Sequence, residues 1–92
     1  MSHERVGFRV VGVVQGVGFR WWTQRKGEAM GLRGVVVNRS DGSVETHVAG
    51  RAEVVAEFER ALHEGPERAR VREVVRVVST LVIPDDGFVI DR

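Results

Sequence analysis

The sequence predicts an α+β fold of the ferredoxin-like (split βαβ) type, in which an antiparallel sheet carries two helices on one face and a short C-terminal strand follows. Valine-rich runs alternate with helical segments in the order β-α-β-β-α-β, and an Asp-Gly pair joins the two middle runs. The last strand is Phe88-Val89-Ile90. Because 92 residues suffice for a single hydrophobic core, we expect one domain over residues 1–92.

The first strand and the first helix account for residues 6–30. Residues 6–14 are dense in Val and Phe with Arg9 as the one charge, which is typical of a central, largely buried strand. Residues 21–30 have helical spacing, and Gly31 follows as the residue that ends the helix. The side chains predicted to face the sheet from this helix are Trp22, Ala29 and Met30.

The next two strands form a predicted hairpin. Residues 32–38 and 43–49 are rich in β-formers and flank a turn at residues 39–42 whose Asp-Gly pair is a strong hairpin signal. Alternation in the second strand separates two faces, one with Val44, Thr46 and Val48 and the other with Glu45 and His47.

A second helix and an edge strand complete the predicted fold. Residues 51–64 place apolar side chains at helical spacing, and Gly65-Pro66 ends the helix. Residues 71–78 interleave charges with valines, which suits an edge strand. Paired valines interrupt its alternation, so this strand can contain a bulge.

The composition limits the classes of function. Fourteen basic and 13 acidic residues give a net charge of +1, so no general attraction to nucleic acid or anionic membrane is expected. The absence of cysteine excludes disulfides and thiolate metal sites. No run approaches the roughly 20 apolar residues of a membrane span, so we expect a cytoplasmic protein, and we expect a monomer. The histidines lack metal-ligand spacing and are predicted at the surface: His3, His47 and His63.

The connection between the first strand and the first helix breaks the usual rules for a helix start. A glycine-rich turn, Gly16-Val17-Gly18-Phe19, leads to Arg20 with no Ser, Thr, Asp or Asn as N-cap and no acid in the first turn. Free N–H groups, the helix dipole and a guanidinium suit an anion such as phosphate. The turn matches neither a dinucleotide fingerprint nor a Walker A loop, and a purely structural turn with a surface arginine stays open.

Asn38 is the second unusual residue. It ends a run of three valines, where asparagine is disfavoured in a strand. Two interpretations remain, a residue that starts the hairpin turn and an amide that orients a water molecule. Trp21 and Trp22 are expected as core and site wall rather than as a platform for nucleic-acid bases.

Two long motifs resemble those of the acylphosphatase family. Residues 12–20 read GVVQGVGFR, a full match to the family's first signature, a strand ending Gly-x-Val-Gln-Gly-Val-x-Phe-Arg. The second signature is matched at Gly34, Asn38, Gly42, Val44 and Gly50. Three departures put the substrate preference in question: Val35 in place of a frequent aromatic, Val37 in place of a polar or basic residue, and Arg39 in place of a frequent Thr.

The resemblance implies hydrolysis of the carboxyl-phosphate bond of a small acyl phosphate, without a metal or cofactor. It assigns water positioning to Asn38 and phosphate binding to Arg20 together with the loop before it. The residues of that implied phosphate-binding loop are Gln15, Gly16, Val17, Gly18, Phe19 and Arg20.

Three alternatives remain at this point. The same motifs occur in the N-terminal module of carbamoyl-phosphate-using hydrogenase maturation proteins, although the sequence ends at Arg92 with no zinc-finger cysteines, so we expect a stand-alone enzyme. An RNA-binding domain of the same fold is disfavoured because the strand at residues 44–48 lacks aromatics. The third alternative is a catalytically inactive relative that binds phosphate.

Overall fold

The computed structural model describes residues 2–91, which form five strands and two helices. In chain order they are β1 (His3–Val13), α1 (Phe19–Ala29), β2 (Arg33–Asn38), β3 (Val44–Arg51), α2 (Ala52–Glu64), β4 (Arg70–Val77) and β5 (Phe88–Ile90). Neither helix in this part of the chain is long and apolar enough to cross a membrane.

The strands form one sheet in the order β4-β1-β3-β2-β5. Strands β1 to β4 pair antiparallel, as predicted, whereas β5 pairs with β2 in parallel, so the whole sheet is mixed. Helix α1 packs on β2 and β5, and α2 packs on β1, β3 and β4. The predicted ferredoxin-like α+β architecture is therefore confirmed, with β1 and β3 at the centre of the sheet and β4 and β5 at its edges.

Three phenylalanines form the centre of the core between the sheet and the helices. The Phe58 ring of α2 lies between Phe8 of β1 and Phe88 of β5, with centroid separations of 6.2 and 6.1 Å and tilted ring planes. All three side chains are buried. Each such pair adds about 0.5–1.5 kcal/mol beyond the burial of its apolar area, so these contacts stabilise the packing of α2 against β1 and β5.

The end of β1 that leads into the glycine-rich turn is bent against β4. The pairing register shifts between Val11, opposite Glu73, and Gly12, opposite Val71, which makes Arg72 the extra residue of a bulge in β4. Gly12 has a φ of 140°, and a Cβ atom there would lie 2.1 Å from the Arg70 carbonyl oxygen. The bulge lies before the paired valines that suggested it.

Helix α1 differs from its prediction in its start and in its buried face. It begins at Phe19, two residues earlier, and its buried residues are Phe19, Thr23 and Gly27, whereas Ala29 is exposed. The reason is the aromatic ring of Phe88, because a Cβ atom at Gly27 would lie 2.3 Å from it. Glycine thus lets the helix approach β5 closely, which hydropathy alone cannot indicate.

His47 is buried, so its prediction as a surface residue is wrong. Its side chain has no exposed area, although it lies on the sheet face opposite the helices. In register it is flanked by Gly7 and Val35, and a Cβ atom at Gly7 would lie 2.7 Å from the imidazole Cε1. Because Gly7 has no side chain, the imidazole ring of His47 can pack closely against β1 and be buried there.

Candidate active site

The turn between β1 and α1 depends on two glycines in the left-handed region. Gly16 has a φ of 76° and Gly18, the N-cap residue, has a φ of 80°. A Cβ atom at either position would contact nothing within 4 Å, so conformation rather than crowding requires glycine here. The helix therefore begins on a backbone that L-residues with side chains rarely adopt.

The start of α1 combines backbone donors that have no helical acceptor with a positive side chain, Arg20, in the first turn. No side chain caps the helix and its first turn contains no acid, as predicted. The first helical hydrogen bond is donated by the Trp22 N–H to the Gly18 carbonyl at 3.0 Å, so the N–H groups of Phe19, Arg20 and Trp21 have no acceptor within the helix. Together with the helix dipole, these donors form an environment that favours an anion.

Arg20 is half-buried beside this helix start. Its Nη1 donates to the Asp91 carbonyl oxygen over a long distance, 3.4 Å. A guanidinium has five N–H donors, so most of its hydrogen-bonding capacity remains for an anion, which it can hold through two oxygens at once.

Asn38 ends β2 and lies opposite Val44 of β3. Its Oδ1 atom is buried and has no hydrogen-bond partner among residues 2–91. Leaving a buried acceptor unsatisfied costs about 1–3 kcal/mol, so a position of this kind favours a bound water or ligand that donates a hydrogen bond. This property favours the amide that orients a water over the residue that only starts a turn.

One cleft of about 280 Å³ brings the helix start and Asn38 together. Of the residues predicted for the site, Gly16, Gly18, Phe19, Arg20 and Asn38 line it. Two do not: the Val17 side chain packs against the hydrophobic core, and the Gln15 side chain is directed to the hairpin between β2 and β3. The lining residues that sequence reasoning did not assign to the phosphate or the water are Val14, Trp21 and Ile90.

Gln15 connects the glycine-rich turn to the hairpin that carries Asn38. Its Nε2 donates to the carbonyl oxygens of Arg39 at 2.8 Å and Ser43 at 2.9 Å. Any contact of Gln15 with a phosphate would therefore use its backbone N–H. The side chain instead joins the two halves of the cleft, which are the glycine-rich turn with the start of α1 and the hairpin that carries Asn38.

The hairpin itself is stiffened by Asp41. Its Oδ1 accepts hydrogen bonds from the Ser43 hydroxyl at 2.6 Å and the Ser43 N–H at 2.9 Å. These two bonds lower the pKa of the Asp41 carboxyl below its usual value because they favour the ionised form. The turn closes through the Gly42 N–H, which donates to the Arg39 carbonyl at 3.1 Å, with Gly42 at a φ of 93°.

A polar cluster that the sequence did not reveal lies next to Asn38. The Glu45 carboxylate lies 3.0 Å from His47 Nε2, 3.3 Å from Arg39 Nε and 3.5 Å from Arg9 Nε. Burial opposes ionisation of Glu45, but the hydrogen bonds to His47 and Arg9 and the charge of Arg39 outweigh it and lower the pKa of Glu45. The available signal was the placement of Glu45 and His47 on one face of β3, opposite Arg9 of β1.

Metal ligands are not grouped in the described part of the chain. Within residues 2–91, no three His, Asp or Glu side chains lie close enough together to hold a metal ion.

Comparisons with known proteins agree on one family. The acylphosphatase family profile matches residues 6–90. An acylphosphatase from Paenarthrobacter aurescens is 43% identical over 84 residues, covering 91% of this chain and 89% of the relative. The acylphosphatase from Nitrobacter winogradskyi is 52% identical over 63 residues, which cover 68% of this chain and 64% of the relative.

Solved structures give the same result. The crystal structure of acylphosphatase from Bacillus subtilis matches 99% of this chain and 100% of that chain, with a TM-score of 0.88 and 30% identity. Full-length HypF, solved in a phosphate- and nucleotide-bound form, matches with a TM-score of 0.75 and 25% identity, but this chain covers 12% of it. The matches support an acylphosphatase over an RNA-binding or inactive phosphate-binding domain, and the chain belongs to the acylphosphatase family.

Proposed function

We propose that the chain hydrolyses acyl phosphates, with Arg20 and the backbone of Gln15 to Arg20 binding the phosphate and Asn38 orienting the attacking water. One observation carries the proposal. The buried Oδ1 of Asn38 has no hydrogen-bond partner within residues 2–91, and Asn38 lines the same cleft as the uncapped start of α1 and Arg20. An acceptor for a water and a set of donors for an anion thus meet in one small volume.

The phosphate would be held by charge and geometry together. The N–H groups of Phe19, Arg20 and Trp21 need acceptors, and the positive end of α1 adds to the guanidinium charge. The Arg20 fork can bind two phosphate oxygens in one plane. The cleft volume, about 280 Å³, is near the lower limit of small-molecule sites and suits a compact acyl phosphate.

The reaction would be an in-line displacement at phosphorus. The water oxygen forms a bond to phosphorus while the bond between phosphorus and the acyl oxygen breaks, and its electron pair leaves with the carboxylate. A carboxylate whose parent acid has a pKa of about 4 needs no proton to depart. The water proton passes to an oxygen of the phosphate itself, because an amide such as Asn38 can orient water but cannot act as a base.

Positioning and charge stabilisation then account for the rate. Arg20 and the N–H groups stabilise the negative charge on the equatorial oxygens, and Asn38 holds the water on the attack line. The test is hydrolysis of benzoyl phosphate by the purified protein, with EDTA present, compared between the wild type and variants of these two residues.

Asn38→Ala should lower kcat by about 100-fold to 1000-fold and leave inhibition by inorganic phosphate unchanged, because the water and not the phosphate loses its partner. Arg20→Ala should lower both phosphate affinity and kcat, and Arg20→Lys should not restore them because the fork is lost. An Asn38→Ala variant with wild-type kcat would show that the water is positioned by another group.

The motifs shared with carbamoyl-phosphate-using hydrogenase maturation proteins make carbamoyl phosphate the second substrate to test. Comparing kcat/KM for carbamoyl phosphate and benzoyl phosphate in the same preparation separates the two. The other expectations from the sequence stay predictions: a single domain over residues 1–92, a monomer, a cytoplasmic location, independence from metal, and no binding to nucleic acid or membranes.

A further inference from the structure

The tryptophan next to Arg20 lies at the rim of the cleft. Trp21 is 59% exposed, and among the exposed large apolar side chains of residues 2–91 it is the one aromatic. A single exposed apolar residue needs no explanation on most surfaces. Trp21, however, lines the same cleft as Arg20 and Asn38, where a bound substrate would cover part of it.

The indole is held in place by its own helix. The guanidinium of Arg25, one turn further along α1, lies 4.8 Å from the centroid of the Trp21 ring. This cation–π contact occupies one face of the ring and limits its rotation. The exposed remainder of the ring is therefore a preorganised apolar surface beside the anion-binding end of the helix.

Asn38 and Trp21 both line the cleft, and each of them also lines one of two separate grooves. Beyond Asn38, a groove follows the hairpin between β2 and β3, and beyond Trp21 a groove follows α1 along Trp22 and Arg25. The two grooves have no lining residue in common, and each shares one residue with the cleft. In-line displacement requires the leaving group to lie opposite the attacking water. With the water at Asn38, the acyl group is directed away from Asn38, and the groove at Trp21 is the adjoining groove that Asn38 does not line.

We propose that Trp21 forms the binding wall for the acyl group and favours substrates whose acyl part is aromatic or bulky and apolar. This inference rests on the proposed function, because it uses the water position at Asn38 to fix the direction of departure. A phenyl ring extending from the phosphate site would contact the indole. The methyl group of an acetyl phosphate is too short to cover the same surface.

The experiment compares two substrates and two unreactive analogues in the wild type, Trp21→Ala and Trp21→Phe. Turnover is measured with benzoyl phosphate and acetyl phosphate, and binding is measured by calorimetry with benzoylphosphonate and acetylphosphonate, whose carbon–phosphorus bond is not hydrolysed. Inhibition by inorganic phosphate reports on the anion site alone. Val82→Ala serves as the control variant, because Val82 is 87% exposed and does not line the cleft.

Trp21→Ala should lower kcat/KM for benzoyl phosphate by about threefold to tenfold, the size of one aromatic contact, and change acetyl phosphate by less than about twofold. The affinity ratio of the two phosphonates should fall equally, phosphate inhibition should not change, and Trp21→Phe should retain most of the preference. The inference is overturned if Trp21→Ala changes neither the ratio of kcat/KM for the two substrates nor the ratio of affinities for the two phosphonates. It is also overturned if kcat/KM falls equally for both substrates and phosphate binding weakens.

The two proposals can fail separately. A wild type that binds benzoylphosphonate more tightly than acetylphosphonate, and loses this preference in Trp21→Ala, supports the binding wall even if neither substrate is hydrolysed, in which case the proposed function fails. A wild type that hydrolyses both substrates with a preference that Trp21→Ala leaves intact supports the proposed function and refutes the wall.

Discussion

Replacing Gln15 with Ala tests whether the two halves of the cleft must be tied together. The substitution removes both hydrogen bonds from Nε2 to the carbonyls of Arg39 and Ser43. Neither carbonyl becomes an orphan, because the Gly42 N–H still donates to Arg39 and the Arg39 N–H still donates to Ser43. The loss is therefore that of two net hydrogen bonds, each worth about 0.5–1.5 kcal/mol, without a desolvation penalty.

This reasoning predicts a loss of about 1–3 kcal/mol in the free energy of unfolding, measured by urea denaturation. In a domain of this size it corresponds to a fall of about 4–24 °C in Tm. The kinetic effect should be selective. Inhibition by phosphate should change little because the loop donors and Arg20 remain, whereas kcat should fall at least about tenfold because Asn38 is no longer held at a fixed distance from the phosphate.

Gln15→Glu is the matched variant, because it has the same shape but places a carboxylate against two carbonyl oxygens. It should be less stable than Gln15→Ala at neutral pH, and the difference should shrink as the pH falls toward the pKa of an ordinary glutamate, about 4.3. A Gln15→Ala protein with wild-type kcat and Tm would refute the tie between turn and hairpin. Parallel losses of phosphate affinity and kcat would instead indicate that Gln15 supports the phosphate loop alone.

Three further substitutions test other parts of the structure. Gly27→Ala should destabilise the protein by about 1–2 kcal/mol in urea denaturation, because overpacking against Phe88 exceeds the gain of about 1 kcal/mol in helix propensity. Adding Phe88→Leu should restore part of the lost stability. A Gly27→Ala protein more stable than the wild type would contradict the close contact. Gly18→Ala should cost about 1–2 kcal/mol from its left-handed backbone and weaken phosphate binding in calorimetry, whereas unchanged binding would show that the turn tolerates other conformations. The pKa of Glu45 is lowered in the folded state, so its ionised form stabilises the protein above the ordinary pKa of 4.5, and this stabilisation is lost as the pH falls. The difference in unfolding free energy between wild type and Glu45→Gln should therefore be largest at neutral pH and shrink below pH 4.5. Equal stabilities at neutral pH would refute a stabilising role of the cluster that Glu45 forms with His47, Arg39 and Arg9.

Local patterns predicted the order of elements and singled out the two residues that we propose as the centre of the site. The hairpin followed from an Asp-Gly pair between valine-rich runs, and Phe88–Ile90 was predicted with the bounds that the structure has. Arg20 and Asn38 stood out because each breaks a local rule, one at an uncapped helix start and the other in a strand. Each of these signals is made up of residues that are close neighbours along the chain, so recognising it needs no knowledge of tertiary contacts.

The tertiary structure decided what depends on residues far apart in sequence. Periodicity placed Ala29 on the buried face of α1. In the structure Gly27 is buried on that face instead, because it packs against the ring of Phe88, which is 61 residues later in the chain. Alternation placed Glu45 and His47 on one face of β3, yet only the neighbouring strands bury them, with space provided at Gly7. The hydrogen bonds of Gln15 to the hairpin likewise span 24 and 28 residues. A sequence pattern indicates which side chains share a face, whereas burial and pairing depend on what the fold brings against that face.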